Sequence, residues 1–88
     1  MKLVSINVNG IKAFCEKGGL GVLMGTLNPD LLCFQETKGD KKKFGKYTDD
    51  YKEEYFRYHS ENKFKKGYAG VGILIKKSIF DRVKEAEI

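Results

Sequence analysis

Two cysteines, one histidine and one proline in 88 residues leave several classes of protein without their raw material. Cys15 and Cys33 stand far apart and form neither a Cys-x-x-Cys pair nor a Cys/His ligand spacing, which excludes a disulfide framework and a zinc site; two reduced thiols are expected. No apolar run approaches membrane-spanning length, and residues 1–10 carry Asn7, Asn9 and Gly10 where a secretory signal would carry its apolar core. The expectation is an intracellular protein without a membrane partner, nuclear in a eukaryote and cytoplasmic in a bacterium. Repeats and low-complexity segments are absent. The glycines at 18–21 and 67–72 are not followed by Gly-Lys-Ser/Thr and do not make a dinucleotide fingerprint, so nucleotide binding of those kinds is excluded.

What the chain does have is positive charge. Seventeen Lys and Arg against twelve Asp and Glu give a net charge of +5, with a pI near 9.2, a balance that favours a polyanionic partner. With 41% hydrophobic residues, a chain this short forms one small domain with a modest core.

Lys2 to Val8 alternates around Leu3, Val4, Ile6 and Val8 and stops at Asn9-Gly10, the pattern of a strand delivering a loop. Between Ile11 and Leu27 the apolar residues Leu20, Leu23, Met24 and Leu27 keep helical spacing, while Gly18, Gly19, Gly21 and Gly25 weaken or break that helix. Asn28-Pro29-Asp30 stops it, with Asn28 suited to a left-handed cap. Leu31 to Gln35 is a short apolar run of the type buried on both faces of a sheet. Thr37 to Asp50 loses its apolar pattern and gains lysines, which predicts an exposed loop. Tyr51 to Phe56 suits a helical turn, and Tyr55 to Ser60 alternates as a strand. Asn62 to Gly67 reads as a basic turn, Gly70 to Lys76 as a fourth strand, and Phe80 to Ile88 as the start of a fifth. Strand, helix, strand implies an early parallel pair, followed by a strand-turn-strand pair, within a mixed α/β class.

Glu36 follows directly on the apolar run of Leu31 to Gln35, where a carboxylate must pair, protonate or bind a cation. A strand-end carboxylate bonded to Lys38 or to solvent accounts for it equally well. Parallel strands present their carboxyl ends on one edge, so Asn7, Asn9 and Glu36 converge. All are oxygen donors, the kind magnesium prefers, although Asn9-Gly10 alone reads as a plain turn. Lys38 to Lys46 and Lys63 to Lys66 are either phosphate contacts or solvated loop charges. His59, in Tyr-Phe-Arg-Tyr-His-Ser, reads as a strand or surface residue.

Three segments carry a resemblance. Ser5-Ile6-Asn7-Val8-Asn9-Gly10-Ile11, Pro29-Asp30-Leu31-Leu32-Cys33-Phe34-Gln35-Glu36-Thr37-Lys38 and Lys66-Gly67-Tyr68-Ala69-Gly70-Val71-Gly72-Ile73 occur in the order and rough spacing of three motifs of one group of enzymes. The chain, over residues 1 to 77, resembles the exonuclease III/apurinic-apyrimidinic endonuclease family of the endonuclease/exonuclease/phosphatase superfamily. The resemblance implies a two-sheet α/β sandwich with flanking helices, of which residues 1–88 form the amino-terminal portion. It implies that Glu36 binds magnesium, with manganese as a substitute; that Asn7 is a catalytic and metal-site asparagine near the scissile phosphate; and that Asn9 is a neighbouring metal-site position. Lys38 resembles a lysine that supports this cluster, and Gly67 and Tyr68 resemble a loop that touches the DNA backbone; packing beside a glycine turn is the other reading of Tyr68. Ile6 departs from the family, where that position is often aromatic, and Gly18 to Gly21 is less helical than the family's first helix.

The activity implied is magnesium-dependent cleavage of the DNA backbone at abasic sites, with trimming of 3′ ends. The family's later Asp/Asn and Asp-His motifs have no counterpart in this chain, and His59 does not substitute for them, so this polypeptide is expected to be inactive alone and to need the remaining half of the domain. The competing readings are an inactive or nucleic-acid-binding fragment and a superfamily phosphoesterase acting on a non-DNA substrate.

Overall fold

The computed structural model describes residues 1–61 and 69–81. Strand β1 (Leu3–Asn7) leads into helix α1 (Ile11–Glu16) and helix α2 (Gly19–Leu27), and strand β2 (Leu31–Gln35) follows. The helix expected between Ile11 and Leu27 is broken where its glycines cluster: Gly18 takes φ 82° and caps α2. The chain can pack tightly here because Gly19 has no side chain; a Cβ on it would come within 2.6 Å of the Phe14 ring. Asn28 ends α2 in the left-handed conformation, φ 43°, its N–H bonded to the Met24 carbonyl at 3.0 Å.

Helix α3 (Lys41–Tyr47) and a 3-10 turn (Asp49–Tyr51) precede strand β3 (Tyr55–Ser60), and strand β4 (Val71–Lys76) runs into a second 3-10 turn (Lys77–Ile79). Two expectations are corrected. The stretch Thr37 to Asp50 is not a plain loop: the Asp40 carboxylate accepts from the Lys43 N–H at 2.7 Å and starts a helix, and Phe44 anchors it in the core. A single buried aromatic in two turns creates no periodicity to read. The expected fifth strand does not begin at Phe80, whose backbone is helical (φ −54°, ψ −43°); residues 82–88 lie outside the described residues, as do Asn62 to Gly67 of the expected basic turn.

The four strands form one mixed sheet in the order β1-β2-β4-β3. β1 and β2 are parallel, with Asn7 opposite Gln35, whereas β4 runs antiparallel to β2 and to β3. Because β4 is reversed, its first residue, Val71, lies opposite both Gln35 and Ser60. The ends of β1, β2 and β3 and the start of β4 therefore share one edge.

The helices cover one face of the sheet. Leu32, Phe34, Leu74 and Tyr55 from that face are buried with Ile11, Leu20, Leu23, Met24 and Phe44, and the Phe44 ring meets Phe34 edge-on at 5.6 Å. The opposite face is open. Leu3 is 66%, Tyr58 47% and Val71 47% exposed, and Leu31, Cys33 and Ile73 between them are half-buried. β2 is thus apolar on both faces, but only one of them is covered in this chain.

Candidate metal and phosphodiester site

The shared edge brings together the side chains that the sequence singled out. Asn7 ends β1, and its amide nitrogen donates to one Glu36 carboxylate oxygen, while its side-chain oxygen accepts the Asn9 backbone N–H at 3.0 Å. The Lys38 ammonium stands 3.9 Å from the other Glu36 oxygen and donates to the Asn9 side-chain oxygen. Asn7, Glu36, Lys38 and Asn9 thus close a ring of polar contacts, joined by the Asn9 backbone N–H. An exposed Lys–carboxylate pair at this distance contributes little to stability, about 1 kcal/mol or less.

Three of these four residues stand on left-handed backbone: Asn9 at φ 47°, Glu36 at φ 52° and Lys38 at φ 51°. Asn adopts that region readily, but for Glu and Lys it costs roughly 1–2 kcal/mol each. Neighbouring backbone holds the turn in place. Gly10 N–H donates to the Glu36 carbonyl and Ile11 N–H to the Thr37 carbonyl, both at 2.8 Å; Thr37 N–H donates to the Gly70 carbonyl at 3.1 Å and Lys38 N–H to the Ala69 carbonyl at 2.7 Å. The β1–α1 loop and the approach to β4 therefore grip the Glu36 turn from two sides.

Thr37, between the two strained residues, is fully buried. Its hydroxyl lies 2.8 Å from His59 Nε2, and the imidazole stacks on the Phe44 ring with centroids 4.9 Å apart. Partial burial lowers the His59 pKa below its usual value. The sequence reads His59 as a strand or surface residue; it lies on β3, half-buried, and its contact with Thr37 was not read. Only the position of Thr37 beside Glu36 hinted at it. Gly67 and Tyr68, the expected DNA contacts, lie outside the described residues.

The donors suit a hard divalent cation in type and fall short in number. Among the described residues Glu36 is the one carboxylate of this ring, Asn7 turns its amide nitrogen to it and the Asn9 side-chain oxygen faces Lys38, and no cluster of three or more His, Cys, Asp or Glu forms. Magnesium is commonly held by one or two carboxylates and keeps several waters, so Glu36 fits as part of such a site. Cys15 and Cys33 are free thiols, and burial raises both pKa values, that of Cys15 to about 11, which makes them poor nucleophiles.

A profile of the endonuclease/exonuclease/phosphatase family matches residues 4–86. The chain belongs to the endonuclease/exonuclease/phosphatase family. Within it, the chain is 38% identical over 77 residues to a DNA-(apurinic or apyrimidinic site) endonuclease of Dictyostelium discoideum, covering 88% of this chain and 20% of that protein. The catalytic domain of Xenopus laevis APE2 superposes with a TM-score of 0.67 at 33% identity, over 89% of this chain and 24% of that one. A 3′ phosphatase from Neisseria, solved bound to a product DNA hairpin, superposes with a TM-score of 0.65 at 28% identity, over 85% and 27%. This chain of the endonuclease/exonuclease/phosphatase family spans a quarter or less of the length of the curated relatives it matches. Among its described residues no helix is long and apolar enough to cross a membrane.

Proposed function

We propose that this chain supplies the metal-carboxylate part of a magnesium-dependent DNA phosphodiesterase that cleaves the backbone at abasic sites and trims 3′ ends. The observation that carries this reading is the placement of Glu36. Asn7 and Lys38 orient its carboxylate at the edge where three loops meet, on a turn whose strain is maintained by bonds from two neighbouring segments. Similarity to an apurinic-site endonuclease and to a phosphatase with bound DNA supports the substrate class.

In this reading Glu36 holds the cation, with Asn7 and Asn9 beside it. Lys38 fixes the carboxylate and adds positive charge for a phosphate, and Gly67 and Tyr68 touch the DNA backbone. Magnesium, when bound, neutralises charge on phosphoryl and leaving oxygens. The open apolar face is where the second sheet of the complete sandwich packs, and the groups that orient and activate the attacking water come with that sheet. The 88-residue chain by itself binds DNA without cutting it.

A basic groove favours binding as the activity that remains to the isolated chain. Lys12 of α1 and Lys42, Lys43 and Lys46 of α3 line it together with Asp40 and Tyr47. Phosphate contacts of this type are salt-dependent and indifferent to sequence.

The test compares binding of abasic and intact duplex with and without magnesium, with strand cleavage read in the same reactions. Expected is salt-dependent binding that magnesium strengthens for the abasic duplex in the wild-type chain and not in Glu36→Gln, without cleavage by either. Equal magnesium enhancement in both proteins rules out the assigned role of Glu36.

A further inference from the structure

We infer that Thr37 and His59 form a clasp that sets the orientation of Glu36, with His59 a positioning residue acting through Thr37. The inference rests on the reading of Glu36 as a metal carboxylate and adds what holds it there.

Four backbone hydrogen bonds fix the main chain of the turn, and among the described residues the one side-chain anchor on its inner side is the Thr37 hydroxyl against His59 Nε2. Space for that contact exists because two glycines of the β4 region lack side chains. A Cβ on Gly70, itself at φ 95°, would lie 2.5 Å from the Thr37 hydroxyl oxygen; a Cβ on Gly72 would collide with the Phe44 ring, which stacks on His59. A physical chain thus runs from α3 through His59 on β3 to the residue directly following Glu36.

Packing alone does not explain this pair. Valine at 37 would fill nearly the same volume without a buried hydroxyl to satisfy, and His59 pays for its place: its Nδ1 is buried with no hydrogen-bond partner among the described residues. What a Thr–His bond supplies and an apolar pair does not is direction. It locks the rotamer of Thr37 and with it the rotation of the strained peptides on either side. Side chains that orient a metal ligand from behind typically change metal affinity by 10- to 100-fold when removed.

Three variants of the 88-residue chain test the clasp: Thr37→Val, His59→Phe, which retains a ring to stack on Phe44, and Thr37→Ser, which retains the hydroxyl. Hydrogen exchange is measured at the Gly10, Ile11, Thr37 and Lys38 amides, and manganese affinity by titration. For Thr37→Val and His59→Phe the expected result is faster exchange at those four amides with the β1–β2 ladder unchanged, and manganese affinity about tenfold weaker. Thr37→Ser retains both properties. Unaltered exchange in Thr37→Val overturns the clasp, and so does unaltered manganese affinity beside faster exchange, which reduces the pair to local structure. If His59→Phe does not fold, Thr37→Val decides alone. If the wild-type chain binds no manganese, the metal reading of Glu36 fails while exchange still decides whether the clasp exists.

Discussion

A half-buried imidazole stacked on a phenylalanine ring is a liability when the pH falls. Burial depresses the His59 pKa, Glu61 and Asp40 pull it back upward, and Lys41 adds to the depression. The unfolded chain titrates its histidine near the ordinary value of about 6.5, so on acidification the unfolded state takes up a proton first. Stability from this residue is complete above that value and is lost as pH falls from there through the folded-state pKa. Thermal melts between about pH 7.5 and pH 5.5 are expected to show a falling midpoint, with that part of the fall missing in His59→Phe. Parallel pH slopes in the two proteins contradict the assignment. Residues at the site were legible in unequal measure. Asn7, Asn9, Glu36 and Lys38 could be named because each belongs to a short segment with its own motif. Thr37 and His59 meet across 22 positions, and a sequence carries no local trace of a partner that far away. Nor does it announce that Glu36 and Lys38 take positive φ, since neither residue type favours that region.

At the level of elements, strong local signals were enough and weak ones failed. β2 occupies the expected Leu31–Gln35 because a short apolar run between Pro29 and a charged turn has few other fates. The break between α1 and α2 follows from Gly18 and Gly19. α3 escaped because its stability comes from the Asp40 cap, from Phe44 and from Arg57, which donates to the Gly45 carbonyl at 2.8 Å, rather than from an amphipathic pattern. The same logic separates the glycines of α2. Gly21 and Gly25 have open space where a Cβ would sit, whereas Gly19 faces Phe14. Gly21→Ala and Gly25→Ala should each stabilise the chain by roughly 0.5–1 kcal/mol, and Gly19→Ala should destabilise it; melting midpoints check all three.

For the molecule as a whole, one sheet face is occupied by helices and the other is largely open, with Ile75 its one buried apolar residue among the described residues. The early parallel pair and the later antiparallel pair appear as expected, but the insertion of β4 between β2 and β3 was not legible, because strand order depends on contacts between segments and not on their composition. That order matters for function. It turns the approach to β4 back to the edge that carries Glu36, so Ala69 and Gly70 can bond to its turn, and it leaves apolar side chains from Leu3 to Tyr58 exposed or half-buried on the open face. The most direct measurement of the central claim is paramagnetic broadening of the nitrogen-15 spectrum of this chain by substoichiometric manganese. Broadening should begin at the side-chain amides of Asn7 and Asn9 and at the backbone of Glu36 and Thr37, spare the distant acidic turn at Asp49–Tyr51, and vanish in Glu36→Gln. Broadening centred on Asp49 and Asp50, or persisting at the sheet edge in Glu36→Gln, would contradict it.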